Sequence, residues 1–295
     1  MLEWLEISPE LTLIATATRA YLHVPPAFGT NPFEAPMRGE GTSDTTHWLL
    51  EGAMMAAARA FARQAVPDCE FPLLEPSQAS SASNWAYRLA GYYHTTHATR
   101  RLLPAVARRF AAHGREQLAR WAEQKTGEEA GHDELALRDL TDLGYRAHEL
   151  VEALTPPRAK AWVAFFERLA AADDPIGCVG YAHALERLAL LRGSAEVRAI
   201  ELRLPKDVNA TRCLRVHSGL GGDRRHVQEN VATTSGLSAD ERRNVVKACY
   251  LTACIYFDPA LDDDFHSAGI EAAISPFRMR PQPHTALVRQ RLPTR

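Results

Sequence analysis

The most constraining feature of this sequence is a nearly continuous run of helical patterns from residue 84 to residue 257. Apolar residues recur there at the three- and four-residue spacing of an amphipathic helix, as in the stripe Trp162, Phe165, Phe166 and Leu169. Prolines and glycines separate the patterns, and no alternating pattern predicts a ladder of strands. The sequence therefore predicts a single all-α bundle of about seven or eight helices.

Proline and glycine also mark the limits of this domain. Residues 1–45 contain too many of both for a long helix, so they are predicted to form an irregular N-terminal extension packed along the outside. Within them, residues 11–15 fit either a short helix or a strand. Residues 46–274 are predicted to form the helical domain. Residues 275–295, which are rich in arginine and proline, are predicted to form an extended or mobile tail.

The charge balance excludes several classes of function. The chain has 34 basic and 36 acidic residues, a formal net charge of −2, and so no global field for binding nucleic acid or an anionic membrane. No apolar run approaches the roughly 20 residues that span a bilayer. Glu3 and Glu6 stand where a secretory signal carries basic residues, so we expect a cytoplasmic protein. Five cysteines without a C-x-x-C pair predict reduced, mostly buried thiols.

Carboxylates and imidazoles occur close together in three segments. Glu129 and His132 are three residues apart, about 60° around a helix axis, so both side chains can face one point. Glu128, one residue earlier, competes for the same role. A carboxylate at Glu186, in an apolar segment, is costly unless it is paired or binds a metal, and His183 lies one turn before it.

The third segment contains His217, Asp223 and His226. Asp223 and His226 are again three residues apart. His217 and His226 are nine apart, which on an uninterrupted helix places them about 180° from each other. Both can bind one metal site only if the helix breaks, and the glycines among residues 219–222 make a break easiest there. Without such a break, His217 is not a ligand.

These residue types indicate a metal centre. Carboxylates and imidazoles without thiolates favour iron or manganese over a structural zinc site. A carboxylate-bridged pair of irons needs about six protein groups, with open positions for dioxygen. The available set consists of Glu129, His132, Glu186, His217, Asp223 and His226, with Glu128 and His183 as alternates.

Each of these groups also has an ordinary structural explanation. The acids at 128 and 129 can pair with Lys125 on a solvated face. Glu186 can pair with Arg187, with Arg192 or with an arginine of another helix, and Asp223 can be a helix cap. The ordered occurrence of the groups on three separate segments favours a site.

Taken in order, the motifs resemble a known family. The sequence EEAGHDE at residues 128–134, the buried Glu186 and the final pair Asp223 and His226 are similar to those of the heme-oxygenase-like diiron oxidases and oxygenases, also called iron-containing redox enzymes. The resemblance covers roughly residues 85–257. It implies a heme-oxygenase-like bundle in which the six residues named above are the iron ligands.

The resemblance departs from the family pattern at the last ligand segment. The common pattern is H-x-x-x-D-x-x-H, whereas five residues separate His217 from Asp223 here. Gly219 takes the position of the first histidine. His217 is therefore the least secure of the six ligands.

The resemblance implies a non-heme diiron oxygenase or oxidase, with two Fe²⁺ per chain and dioxygen as co-substrate. Members of the family act on small amino acids, amines or fatty acids, by N-oxygenation or by oxidative C–C or C–N cleavage. We therefore expect a small-molecule substrate, and a homodimer is compatible with the sequence. Two alternatives are open: an iron-free enzyme of the same fold, thiaminase-like or cofactorless, and a non-catalytic helical binding protein.

Overall fold

Helices make up most of the chain that the structure describes. The computed structural model describes residues 2–8, 11–23, 42–61, 81–217, 222–261 and 267–279. These residues contain eleven α-helices. They are α1 (Ser43–Ala60), α2 (Ala82–Ala112), α3 (Glu116–Glu128), α4 (His132–Asp142), α5 (Ala147–Ala153), α6 (Pro157–Ala171), α7 (Gly177–Glu201), α8 (Arg212–Val216), α9 (Gly222–Ser235), α10 (Ala239–Phe257) and α11 (Ser267–Ile274).

The all-α class predicted from the sequence is confirmed, with more helices than the seven or eight expected. Helices α5, α8 and α11 have seven, five and eight residues, which is too short for periodicity to reveal them. Helix α10 begins with a capping box. The backbone N–H of Glu241 donates to Ser238 Oγ, and that of Ser238 donates to Glu241 Oε2. This exchange satisfies backbone donors that the helix itself leaves unpaired.

The main buried core forms around α10, which packs against both α7 and α1. Helix α7 approaches α10 very closely at Gly180. A Cβ atom added to Gly180 would lie 2.0 Å from the backbone oxygen of Val245, a distance that no side chain tolerates. Glycine at this position therefore permits the close contact between the two helices. A second buried core lies between α2, α4, α5 and α11.

Residues 2–23 contain a three-stranded antiparallel sheet, which corrects the prediction of an irregular extension over this stretch. The strands β1 (Leu2–Ser8), β2 (Leu11–Thr16) and β3 (Ala20–His23) pair in chain order. Leu13 is fully buried against α1, and Glu3 pairs with Arg242 of α10 at 2.8 Å. Because such long-range contacts stabilise short strands, local sequence alone did not distinguish strand from helix.

Two further expectations concern the ends of the chain and membranes. In the predicted C-terminal tail, Ser275–Phe277 forms a 3₁₀ turn, and residues 280–295 lie outside the described residues. Residues 24–41 of the predicted N-terminal extension also lie outside them. None of the described helices combines the length and apolar character needed to cross a membrane.

We predict that Gly180→Ala destabilises the fold. The added methyl group would collide with the backbone of α10, and overpacking of this kind costs about 3 kcal/mol of unfolding free energy. Urea denaturation measures the change. Gly91→Ala is the matched control, since its Cβ would meet Ala159 Cβ at an ordinary 3.6 Å and should leave stability nearly unchanged. Equal stabilities of the two variants would contradict the prediction.

Candidate metal centre

Three of the predicted ligands come together in what we term the first acid–imidazole group: Glu129, His132 and His217. One ligand atom from each lies within 4.8 Å of those of the other two. His132 Nδ1 lies 3.0 Å from Glu129 Oε2, and the rings of His132 and His217 are nearly perpendicular with centroids 4.7 Å apart. Burial raises the pKa of Glu129, but the His132 hydrogen bond and the neighbouring imidazoles hold that pKa below its ordinary value.

Glu129 and His132 lie across a turn, and not on one helix as their spacing predicted. Helix α3 ends at Glu128 and helix α4 begins at His132. Gly131 between them has φ 82°, in the left-handed region that glycine adopts at no steric cost. The turn still brings both side chains to one point, although the helix assumed in the prediction is interrupted.

His217 follows the last residue of α8, and this is where a helix break was expected. Helix α8 ends at Val216 and helix α9 begins at Gly222, while residues 218–221 lie outside the described residues. His217 Nε2 is buried and has no hydrogen-bond partner among the described residues. Burial lowers the pKa of His217, against the opposing charge of Glu129, so its imidazole is neutral at neutral pH.

A second acid–imidazole group consists of Glu128, His226 and Glu229. Here too one ligand atom from each residue lies within 4.8 Å of the others, and His226 Nε2 is 3.1 Å from Glu128 Oε2. Glu186 adjoins this group, with its Oε1 3.8 Å from His226 Nδ1. Its other oxygen accepts a hydrogen bond from Asn230 Nδ2 at 2.6 Å. The second acid–imidazole group therefore includes Glu128, which the sequence analysis kept only as an alternate.

Lys125 occupies the centre of this second group. Its side chain is buried, with 3 % of the residue exposed, and its Nζ lies 2.9 Å from Glu128 Oε2 and 3.0 Å from Glu186 Oε1. Glu186 therefore pairs with Lys125. Arg187 pairs instead with Glu51, at 2.6 Å. The sequence analysis considered Lys125 only as a partner on a solvated face, although its position one turn before Glu128 was a usable signal.

The opposite charges in this group shift the pKa values of its members. Burial lowers the pKa of Lys125, but the carboxylates of Glu186 and Glu128 outweigh burial and hold that pKa above its ordinary value. Burial raises the pKa of Glu128, but a hydrogen bond from Gln124 and the Lys125 ammonium hold it below its ordinary value. Burial and the charge of Lys125 lower the pKa of His226, although the charge of Glu128 raises it in part. At neutral pH Glu128 is therefore ionised, Lys125 is charged and the imidazole of His226 is neutral.

Two other predicted residues are not brought to these groups by any described contact. The side chain of Asp223 lies outside the described part of the structure. His183 is fully buried at 0 % exposure, near Glu51, Arg187 and His47, and does not line the cavity described below. Both of its ring nitrogens lack a hydrogen-bond partner among the described residues.

The donor atoms of the first acid–imidazole group fit an iron ion. An ionised carboxylate and neutral imidazoles are the protonation states that bind metals, and nitrogen and oxygen donors suit iron. A buried, unsatisfied nitrogen such as His217 Nε2 costs free energy that a bound ligand recovers. At the second group the carboxylates already have a cation, the Lys125 ammonium, so a metal there has to displace it.

Members of the first acid–imidazole group line a cavity of about 150 Å³, as do Lys125 and Glu186 beside the second group. Glu129, His217, Lys125 and Glu186 line one end. The remaining wall is mostly apolar and aromatic, and an apolar cavity of about this size holds a molecule as large as benzene. Its other lining residues are Tyr92, Thr95, Thr96, Thr99, Leu103, Trp162, Phe166, Cys178, Tyr181, Ala182, Leu185, Leu188, Ala189, Arg192, Leu214 and Tyr256.

Three aromatic residues of α6 and α7 line this cavity. These are Trp162, Phe166 and Tyr181, and the rings of Phe166 and Tyr181 are stacked with centroids 4.4 Å apart. Phe165 is buried in the main core and is not among the lining residues. The geometry therefore brings together titratable donors and a space for a small molecule.

Two solved structures are similar to this chain in fold. A domain with a heme oxygenase-like fold from Shewanella denitrificans OS217 matches with a TM-score of 0.53 and 19% identity, over 63% of this chain and 79% of its own. A TenA homolog from Pseudomonas syringae pv. tomato strain DC3000 matches with a TM-score of 0.53 and 14% identity, over 78% of this chain and 97% of its own. No protein-family model and no curated protein matches the sequence.

Likeness at this level of identity establishes the fold alone. The heme-oxygenase-like, all-α fold that the sequence resemblance implied is therefore confirmed. Membership of the diiron oxidase and oxygenase family stays a prediction.

We predict that His183 makes the fold less stable in acid. Burial lowers the pKa of His183 to about 4. The charges of Arg187 and His47 also lower this pKa, whereas the charge of Glu51 raises it. His183 therefore binds a proton near pH 6.5 in the unfolded chain but only near pH 4 in the folded chain. The free energy of unfolding consequently falls by about 3 kcal/mol as the pH is lowered from 6.5 to 4.

The test is urea denaturation at several pH values. His183→Gln should flatten the pH dependence between pH 6.5 and pH 4. His148→Gln, at an exposed histidine of α5, should retain the wild-type profile. A His183→Gln profile as steep as that of the wild type would show that another group is responsible.

Proposed function

We propose that this protein is a non-heme iron enzyme that uses dioxygen to oxidise a small molecule, as an oxygenase or oxidase acting on a small amino acid, amine or fatty acid. One observation carries the proposal: donor residues of both predicted iron positions adjoin the same cavity. Glu129 and His217 of the first acid–imidazole group line it, and so does Glu186 beside the second group. A metal bound by these residues would face a small molecule in the cavity.

The two groups suit two irons. Glu129, His132 and His217 would hold one, and Glu128, Glu186 and His226 the other. Asp223 stays a predicted ligand. When bound, the two ferrous ions supply the redox chemistry that activates dioxygen.

The chain's own residues contribute binding and orientation. The stacked rings of Phe166 and Tyr181 form part of an apolar wall that excludes bulk water from the cavity. Asn230 Nδ2 donates to Glu186 Oε2 and so fixes the orientation of that carboxylate. Such supporting hydrogen bonds position metal ligands and commonly alter affinity or activity about 10–100-fold when lost.

Lys125 distinguishes the two predicted iron positions. In the structure its ammonium neutralises Glu128 and Glu186, whereas no described lysine or arginine pairs with the carboxylate of Glu129. We therefore expect the first acid–imidazole group to bind iron more tightly. The second iron has to displace the Lys125 ammonium.

An iron-free, thiaminase-like enzyme is the second candidate, and the TenA homolog supports it through the fold. Such an enzyme needs a nucleophilic thiolate. Of the described residues that line the cavity, Cys178 carries a thiol. Burial raises the pKa of Cys178 far above its ordinary value, so the thiolate is scarce at neutral pH. The carboxylate–imidazole groups therefore favour the iron enzyme.

We predict that anaerobic loading with ferrous iron gives close to two irons per chain, followed by an absorbance change when dioxygen is admitted. Glu129→Ala should lose at least one iron and the oxygen-dependent change, because it removes the carboxylate of the first acid–imidazole group. Metal analysis of the desalted protein measures the iron content.

Glu123→Ala, at an exposed acid on α3, is the matched control and should load as the wild type does. Equal iron contents of wild type and Glu129→Ala would refute the iron proposal. The iron-free enzyme and the non-catalytic binding protein would then be the remaining candidates.

We also predict that Lys125→Met strengthens binding of the second iron. The substitution removes the ammonium that competes for Glu128 and Glu186, so the dissociation constant of the second iron should fall by about tenfold or more. Anaerobic titration with ferrous iron measures both binding steps.

Lys247→Met, at an exposed lysine on α10, serves as the control and should bind iron as the wild type does. A titration of Lys125→Met that matches the wild type would mean that the ammonium does not compete with the second iron.

A further inference from the structure

The end of the cavity away from the first acid–imidazole group contains a guanidinium group, that of Arg192. Glu186 and Arg192 both lie on α7, six residues apart. At about 1.5 Å per residue, this places them about 9 Å apart along the helix axis. The side chain of Arg192 is 27 % exposed, so it is only partly shielded from solvent. The cavity thus has the carboxylates and their Lys125 ammonium at one end and the guanidinium of Arg192 at the other.

The positive charge of Arg192 is only partly compensated. The acid that pairs with it among the described residues is Glu196, which is 2 % exposed and 3.9 Å from Arg192 Nη1. Arg88 lies much closer to the same carboxylate, at 2.6 Å. Two guanidinium groups therefore neighbour one buried carboxylate. An anionic ligand at Arg192 would be attracted to the guanidinium group, whereas a cationic ligand would be repelled.

The guanidinium of Arg192 is also held in place. The Nε of Arg192 donates a hydrogen bond to the hydroxyl of Tyr256, and the central guanidinium carbon, Cζ, lies 4.9 Å from the centre of the Tyr256 ring. Tyr256 in turn stacks on Trp162, with ring centroids 6.2 Å apart and an interplanar angle of 15°. A guanidinium held in this way retains other N–H groups for a ligand and loses little conformational freedom when one binds.

A second observation also points to a polar ligand in this cavity. Tyr181 lines it, and the buried hydroxyl of Tyr181 has no hydrogen-bond partner among the described residues. Buried hydroxyl groups are normally satisfied, because desolvation without a hydrogen bond is costly. A ligand with a polar atom would provide the missing partner.

We propose that the cavity binds a small carboxylic acid, such as an amino acid, with its carboxylate at Arg192 and its opposite end toward Glu129 and Glu186. The volume of about 150 Å³ fits a molecule near the size of benzoate and excludes a long fatty acid. An amine without an acid group would offer Arg192 no carboxylate, and the guanidinium group would repel it if it were protonated. The orientation for reaction rests on the proposed function, but binding of the carboxylate does not require iron.

The test measures binding of benzoate and hexanoate, with benzamide and hexanamide as neutral counterparts, to the metal-free protein by isothermal titration calorimetry. At least one acid should bind about tenfold or more tightly than its amide. Arg192→Gln should abolish this preference. Arg192→Lys should retain part of it, because the charge remains but the planar fork is lost. Arg198→Gln, at an exposed arginine of the same helix, should behave as the wild type.

Three results would overturn the proposal. Wild-type protein could bind neither acid more tightly than its amide, or Arg192→Gln could retain the preference for the acid. Arg198→Gln could also lose this preference to the same extent as Arg192→Gln. Tighter, Arg192-dependent binding of phenyl phosphate than of benzoate would assign the cavity to a phosphate ester instead. Thermal unfolding of each variant confirms that it is folded. Because the titration uses metal-free protein, its failure is separate from a failure of iron loading.

Discussion

The buried ammonium group of Lys125 is the interaction on which the candidate site depends. It lies between Glu128 at the end of α3 and Glu186 on α7, at 2.9 and 3.0 Å. Ionised carboxylates in so buried a position are costly without a cation, and removal of one member of a buried ion pair commonly costs about 3–5 kcal/mol. The lysine therefore helps to hold the pKa of Glu128 below its ordinary value, and it links two helices that are distant in sequence. Any metal ion at these carboxylates competes with this internal cation.

Helix α7 organises the cavity as a whole. One face of the helix carries Glu186 near the acid–imidazole groups and Arg192 near the opposite end, with apolar residues between them. A helix is rigid over this length, so the separation of the two charged ends does not depend on a loop. The close approach of α7 to α10 at Gly180 fixes the helix in the core. Packing in the main core thereby positions the residues that we expect to meet a substrate.

The local signals in the sequence were strong where short-range forces decide the structure. The capping box of Ser238 and Glu241 depends only on residues three apart, and it forms as their spacing indicates. Glu129 and His132 are likewise neighbours in the chain, and they meet even though Gly131 interrupts the helix between them. The turn itself was missed, because a single glycine in a helical pattern is often tolerated within the helix.

The residues that complete the site depended on contacts over long distances in the chain. The sequence by itself determined the all-α class and the pairing of acids with imidazoles, because helical periodicity and short spacings act within a few residues. Only the tertiary structure decided that Lys125 meets Glu186, that His183 lies apart from the cavity and that strands β1 to β3 form a sheet on α1. These outcomes follow from which helix faces pack together. That choice is set by burial summed over the whole core and leaves no signature in any one segment.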